Sequence, residues 1–236
     1  MTSTGAAELL ATWEAGLAEA QAGRALLLHR AARPDLDGTA VPVGRREADL
    51  FALRRALFGD RMQVRLECAA CDADMEFDLD AEEFTAVPGD SVVRVHEGGW
   101  EIEFRLPGVA DLTAAARAAD PRAALLERCL VSAVQDGSAA TADALPAPVQ
   151  RRIAEAVEAA DPGADVTLNV ACPDCGQATR AELDIASYLW TELDAWARDV
   201  LLDVHLLATA YGWSEPQILA LSPLRRRYYL ELCADV

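Results

Sequence analysis

Val64-Arg65-Leu66-Glu67-Cys68-Ala69-Ala70-Cys71-Asp72 and Leu168-Asn169-Val170-Ala171-Cys172-Pro173-Asp174-Cys175-Gly176 are two versions of one pattern, offset by 104 residues. In each, apolar residues alternate into a Cys-x-x-Cys pair and out again, through Met75, Phe77 and Leu79 in the first and Ala181 and Leu183 in the second. A period of two on both sides of a short turn predicts a strand, a knuckle and a returning strand. Each knuckle supplies two thiolates, whereas a structural zinc takes four ligands in a tetrahedron at about 2.3 Å. Cys68, Cys71, Cys172 and Cys175 together make one closed site for one structural zinc, with no open position for a catalytic water. A compact zinc ribbon has roughly 15–20 residues between its pairs, so the long intervening segment reads as an insertion. The alternatives are a disulfide within each pair, a redox motif, or a ribbon that has lost its metal. A thioredoxin-type pair belongs in a strand–helix–strand context, which surrounds neither knuckle.

The composition sets wider limits. A chain of 236 residues, 52% hydrophobic, can bury a substantial core in one or two domains. It has no apolar run near the ~18–20 residues of a bilayer span, and Met1 to Gly5 show no export-signal pattern, so a soluble cytoplasmic protein is expected. Six cysteines, four in metal-type spacing, fit a reducing compartment. Cys129 and Cys233 lie on apolar helical stripes and are expected as buried core thiols. A formal charge of −18 argues against a nucleic-acid partner; no membrane or small-molecule partner is indicated. All 21 basic residues are arginine. The clusters Arg45-Arg46, Arg54-Arg55 and Arg225-Arg226-Arg227 read as solvated helix faces.

Periodicity predicts a helix from Ala6 to Gln21, carrying Leu9, Leu10, Trp13 and Leu17 and ended or bent by Gly23, then a short helix from Arg24 to Ala32. Pro34 to Gly44 is a loop by its turn residues. Arg45 to Phe58 is helical, with Leu50, Leu53, Leu57 and Phe58 on one face. After the first knuckle, Val92–His96, Gly98-Gly99 and Trp100–Arg105 read as a hairpin with one apolar and one charged face. Asp111 to Ala160 reads as helical, with Asp111 as an N-cap, Asp120-Pro121 as a second cap, and Leu125, Leu126, Cys129, Leu130 and Val134 as one buried face. Asp136 to Pro148 interrupts it as a small-residue loop before a helix from Val149 to Ala160. Ile185 to Tyr211 is a long helix with two adjoining apolar stripes, one through Leu189, Leu193, Trp196, Val200, Val204, Leu207 and Tyr211, the other through Trp190, Ala197, Leu201 and Ala208. Gly212 closes it, Ser214 and Gln217 form a capping box, and Ser222-Pro223 opens a last helix. This helical series could suggest a helix-turn-helix, but the acidity of the chain sits poorly with DNA recognition.

The fold class is therefore α+β and mostly helical: a split four-cysteine zinc-ribbon-like β unit, a hairpin-plus-helices insertion, and a C-terminal helical array. The expected organisation is residues 1–60 helical, 61–84 first knuckle, 85–163 insertion, 164–184 second knuckle and 185–236 helical. Catalysis is not expected. His29, His96 and His205 lie in different segments beside no nucleophile pattern, and no HExxH, EF-hand, Walker or GxGxxG motif occurs.

The order Pro42-Val43-Gly44-Arg45-Arg46, a leucine-rich helix ending Phe58-Gly59, the two knuckles, Phe104-Arg105-Leu106-Pro107, Leu126-Glu127-Arg128-Cys129, Tyr211-Gly212-Trp213-Ser214-Glu215-Pro216-Gln217-Ile218-Leu219 and Arg225-Arg226-Arg227-Tyr228-Tyr229-Leu230 resembles the T-even-type baseplate hub assembly chaperone family. Its members occur with contractile phage tails and bacterial contractile injection systems. The resemblance implies a non-enzymatic accessory of the baseplate hub, with hub proteins as partners and no catalytic residues. The alternative function is a zinc-ribbon regulator contacting transcription machinery or nucleic acid. Large aromatics anchor interfaces, so Trp190, Trp213, Tyr228 and Tyr229 are the candidate partner-binding residues, with a core role for all four as the competing reading, favoured for Trp190 and Trp213.

Overall fold

Helices α1 (Ala6–Leu17) and α2 (Gln21–Ala32) precede α3 (Val43–Phe58) and the first knuckle hairpin, β1 (Arg61–Glu67) with β2 (Asp74–Asp80). A 3-10 turn at Ala81–Phe84 leads into β3 (Val92–Glu97), β4 (Trp100–Arg105), α4 (Val109–Ala116), α5 (Pro121–Cys129), β5 (Leu130–Gln135) and β6 (Ser138–Ala139). Then follow α6 (Ala147–Ala160), a 3-10 turn at Pro162–Ala164, the second knuckle hairpin of β7 (Thr167–Ala171) and β8 (Ala178–Glu182), and helices α7 (Ile185–Tyr211), α8 (Glu215–Leu219) and α9 (Pro223–Ala234). This computed structural model describes residues 5–85 and 87–234, so the reading of Met1 to Thr4 lies outside the described residues. The chain is α+β, 54% helical with small sheets. It divides into two units, Ala32–Ile185 and the described residues of Met1–Ala31 with Ala186–Val236. The expected boundaries at 84/85 and 163/164 both fall inside the first of these, and the first helix pair groups with the C-terminal helices.

In the unit Ala32–Ile185, β3 to β6 form an antiparallel sheet in that order, and each knuckle hairpin is a two-stranded sheet of its own. Gly98 and Gly99 both have positive φ, 53° and 82°, which the two-residue turn between Glu97 and Trp100 requires. The alternation of β4 buries Trp100, Ile102 and Phe104 in one core with Leu126, Cys129, Val149 and Ile153. Its other face carries charge, with Arg94 Nε donating to Glu103 at 3.0 Å.

Helix α3 pins both ends of the segment between the knuckles. Phe51, fully buried, stacks on Phe84 at 5.0 Å between ring centroids. At the other end Asp161 Oδ2 accepts a hydrogen bond from Gly44 N at 3.0 Å. Pro42, at the N-cap of α3, provides no side-chain cap, so Asp161 satisfies one of the helix's orphan donors from 117 residues away. A second buried carboxylate, Asp111, accepts from Arg105 at 2.7 Å, Gly108 N at 3.0 Å and Arg128 at 3.1 Å, joining β4, α4 and α5.

Several expectations are corrected here. Leu130 to Gln135 is a strand paired with β4, Ile102 opposite Ala133, rather than the end of a helix; a four-residue apolar spacing alone does not exclude a strand, and the open edge of β4 decides. Asp111 is not an N-cap: α4 begins at Val109, and Asp111, in its first turn, accepts from the backbone N–H of the N-cap residue Gly108. Helix α1 stops at Leu17, and Gly23 lies within α2. α3 starts at Val43, and Phe51 rather than Leu57 dominates its buried face. Cys129 is buried as expected, but Cys233 is only half-buried.

In the other unit, α7 spans the expected residues, with Leu189, Leu193, Ala197, Val200 and Leu207 buried. Trp13 Nε1 donates to Asp194 at 2.9 Å, fixing α1 on α7. Trp190 lies against Gly16, where any Cβ would overlap its ring, and Arg24 covers it at 4.7 Å from the ring centroid.

Candidate metal centre

The two knuckles are built from the same local chemistry. In the first, Cys68 N donates to Ala73 O and Asp72 N to Cys68 O, both at 2.9 Å; in the second, Cys172 N donates to Gln177 O and Gly176 N to Cys172 O, again at 2.9 Å. The last strand pairs, Glu67 with Asp74 and Ala171 with Ala178, also correspond at the 104-residue offset. Each turn passes through one left-handed residue, Asp72 at φ 57° and Gly176 at φ 74°. Glycine adopts this freely, and aspartate is among the side chains that tolerate it best.

These turns aim all four sulfurs at one point. Cys68 and Cys172 are buried, Cys71 and Cys175 exposed. The close pairs run between knuckles, Cys68 Sγ to Cys175 Sγ and Cys71 Sγ to Cys172 Sγ, each at 3.7 Å, and all four sulfurs lie within 4.8 Å of one another. The first cysteine of each knuckle thus meets the second of the other, a local two-fold arrangement. A tetrahedron of sulfurs about 2.3 Å from a central ion has an edge of about 3.8 Å. A disulfide needs about 2.05 Å, and every cysteine is a free thiol. The donor set fits a metal ion.

Electrostatics agrees. Backbone N–H groups of Ala70 and then Cys71 favour the Cys68 thiolate and hold it at about 6 against burial. At Cys71 the Ala73 N–H also favours the thiolate, but the sulfurs of Cys175, Cys68 and Cys172, together with burial, push this thiol up to about 12. With Cys68 favoured as the thiolate, and although backbone N–H groups pull the other way, Cys71 and Cys175 are held above the ordinary thiol range by neighbouring sulfurs and burial, and a dication removes that conflict. Around the inner sulfurs Leu66, Ala73, Met75 and Val170 form an apolar shell, which limits water access to them.

The other candidates lie elsewhere. Trp190 is buried against Gly16 and Arg24, so its place is in the core. Trp213 and Tyr229 are half-buried: Trp213 stacks on Tyr211 at 4.7 Å and meets the edge of Tyr229 at 4.8 Å. Tyr228 is 61% exposed. His29, His96 and His205 stand on α2, β3 and α7. Sequence reasoning missed Gly44 and Asp161; the Asp161-Pro162-Gly163 turn signal placed a loop there without indicating its partner.

A family model described as T4 bacteriophage base plate protein matches residues 27–189, a stretch that contains α3, both knuckles and everything between them. The chain belongs to this family. For this base plate family member, no curated protein and no solved structure matches. The family match ends in the first turns of α7, so α8 and α9 lie beyond it.

Proposed function

We propose that this chain is a non-enzymatic assembly chaperone or structural accessory of the baseplate hub of a contractile phage tail or contractile injection system, acting in the cytoplasm by binding hub proteins. The observation that carries the reading is the base plate family match across residues 27–189, which covers all four metal-type cysteines. In this reading Cys68, Cys71, Cys172 and Cys175 hold one structural zinc in a ribbon whose two halves are split by the Phe84–Asp161 insertion. With four protein ligands the ion offers no site to a substrate, and its contribution is to hold two knuckles together. No helix among the described residues is long and apolar enough to cross a membrane. The docking face for the hub lies on the C-terminal helices, on the Trp213 and Tyr229 side, where aromatic edges remain accessible.

The test is co-expression with candidate hub, tube and spike proteins of the same system, followed by purification through a tag on this chain and metal analysis. A stable complex with a hub component and one zinc per chain are expected. A chain that binds none of them, with duplex DNA bound in a salt-sensitive manner instead, would overturn the reading in favour of a zinc-ribbon regulator.

A further inference from the structure

We propose that α9 is a self-association surface on which a second copy of this chain docks through Leu224, Tyr228 and Leu232. These side chains are 65%, 61% and 58% exposed and recur every four residues. At about 100° per residue they form one slanting ridge on the side of α9 away from Arg226, whose buried guanidinium pairs with Asp203 of α7 at 3.0 Å. Tyr229, Leu230 and Cys233 are half-buried on that inner side. The helix is anchored from one face and turns an apolar ridge outward. Scattered exposed leucines are normal, whereas a contiguous apolar patch marks an interaction site.

The flanks of the ridge identify its occupant. Arg225 and Glu231, both exposed, stand about 60° to either side of the ridge's midline. One edge is positive and the other carries a carboxylate. A two-fold axis places a surface against its own copy. When two four-residue ridges align, their helices cross at about 50°, and with both running in the same sense Arg225 comes beside the partner's Glu231 twice, around a central pair of Tyr228 rings. Within one chain Glu231 is already paired with Arg227 at 3.0 Å, and Arg225 brings a second cation to the same carboxylate. A face complementary to itself in both shape and charge selects a second copy over an unrelated helix. This inference is independent of the baseplate reading.

Sedimentation of the purified full-length chain over a concentration series tests it, with a thermal melt of every variant as the fold control. The parent is expected to dimerise reversibly, and Tyr228→Glu to remain monomeric with an unchanged melt; Leu224→Glu serves the same purpose should the first variant misfold. Arg225→Glu and Glu231→Arg, each creating two like-charge contacts per dimer, should weaken association about tenfold or more. The double variant R225E/E231R should recover most of the loss. A parent that stays monomeric at every concentration, a ridge that binds only a hub protein, folded Tyr228→Glu that dimerises like the parent, or a double variant no better than the singles would each overturn the proposal.

Discussion

Replacing Gly44 by alanine tests whether α3 holds the second knuckle in place. A Cβ on Gly44 overlaps Asp161 Oδ1 and lies 2.8 Å from Asp161 Cγ and 2.9 Å from the backbone nitrogen of Ala164. The aspartate cannot withdraw without giving up the 3.0 Å bond from Gly44 N, and Ala164 is main chain. Overpacking of this kind costs about 1–3 kcal/mol, and the lost hydrogen bond about 1 kcal/mol more. Alanine's better helix propensity offsets about 1 kcal/mol. The net expectation is a loss of about 1–3 kcal/mol in the unit Ala32–Ile185, read by chemical denaturation, with faster hydrogen exchange in the first turn of α3. Asp161→Ala supplies the second arm of a double-mutant cycle. Because the overlap needs both side chains, the double variant should be more stable than the sum of the singles predicts by at least about 1 kcal/mol. Gly44→Ala as stable as the parent, or penalties that simply add, would refute this account of the α3 pin.

Cys172→Ser should lower the melting temperature more than Cys129→Ser or Cys233→Ser, because a structural ion contributes folding free energy directly; thermal melts of the three with and without chelator rank them, with hydrogen exchange expected to rise first between Phe84 and Asp161. The Arg105 guanidinium beside Asp111 holds this carboxyl at about 2, with Gly108 N and Arg128 adding to the effect against burial. Its contribution, about 1–2 kcal/mol, is fully present above the ordinary carboxylate range near 3.8 and is lost as pH falls toward 2. The stability gap between the parent and Asp111→Asn in urea should therefore be full at pH 7 and narrow between pH 4 and 2; a gap that does not change with pH counts against the assignment. Gly16→Ala should destabilise the unit that holds α1 and α7, since the new Cβ meets the Trp190 ring, and Trp fluorescence during denaturation would report it.

What the sequence disclosed was mainly local. Two strand–knuckle–strand patterns and a 27-residue helix announce themselves by periods of 2 and 3.6, and cysteines repeating at a fixed offset announce a shared site. β5 escaped because Leu126, Leu130 and Val134 are spaced by four, which suits a helix, while the edge of β4 that recruits Leu130–Gln135 is a distant partner. Asp161 escaped for a similar reason: nothing near it in the chain states that its acceptor oxygen will meet Gly44. The grouping of the first two helices with the last three is likewise a long-range fact. Apolar stripes on α1 and α7 show that each needs a partner without saying which one.

The local two-fold arrangement of the knuckles has a bearing on how the chain is made. Cys68 and Cys71 leave the ribosome about 100 residues before Cys172 and Cys175, an interval of roughly 5–20 s at ordinary elongation rates. Throughout that time the nascent chain offers only half a coordination sphere, which binds an ion weakly and releases it readily. The full set of sulfurs exists only once translation has passed Cys175, so tight uptake of an ion at this site would be a timestamp: it would separate chains that have completed the whole insertion from those still in synthesis or stalled within it.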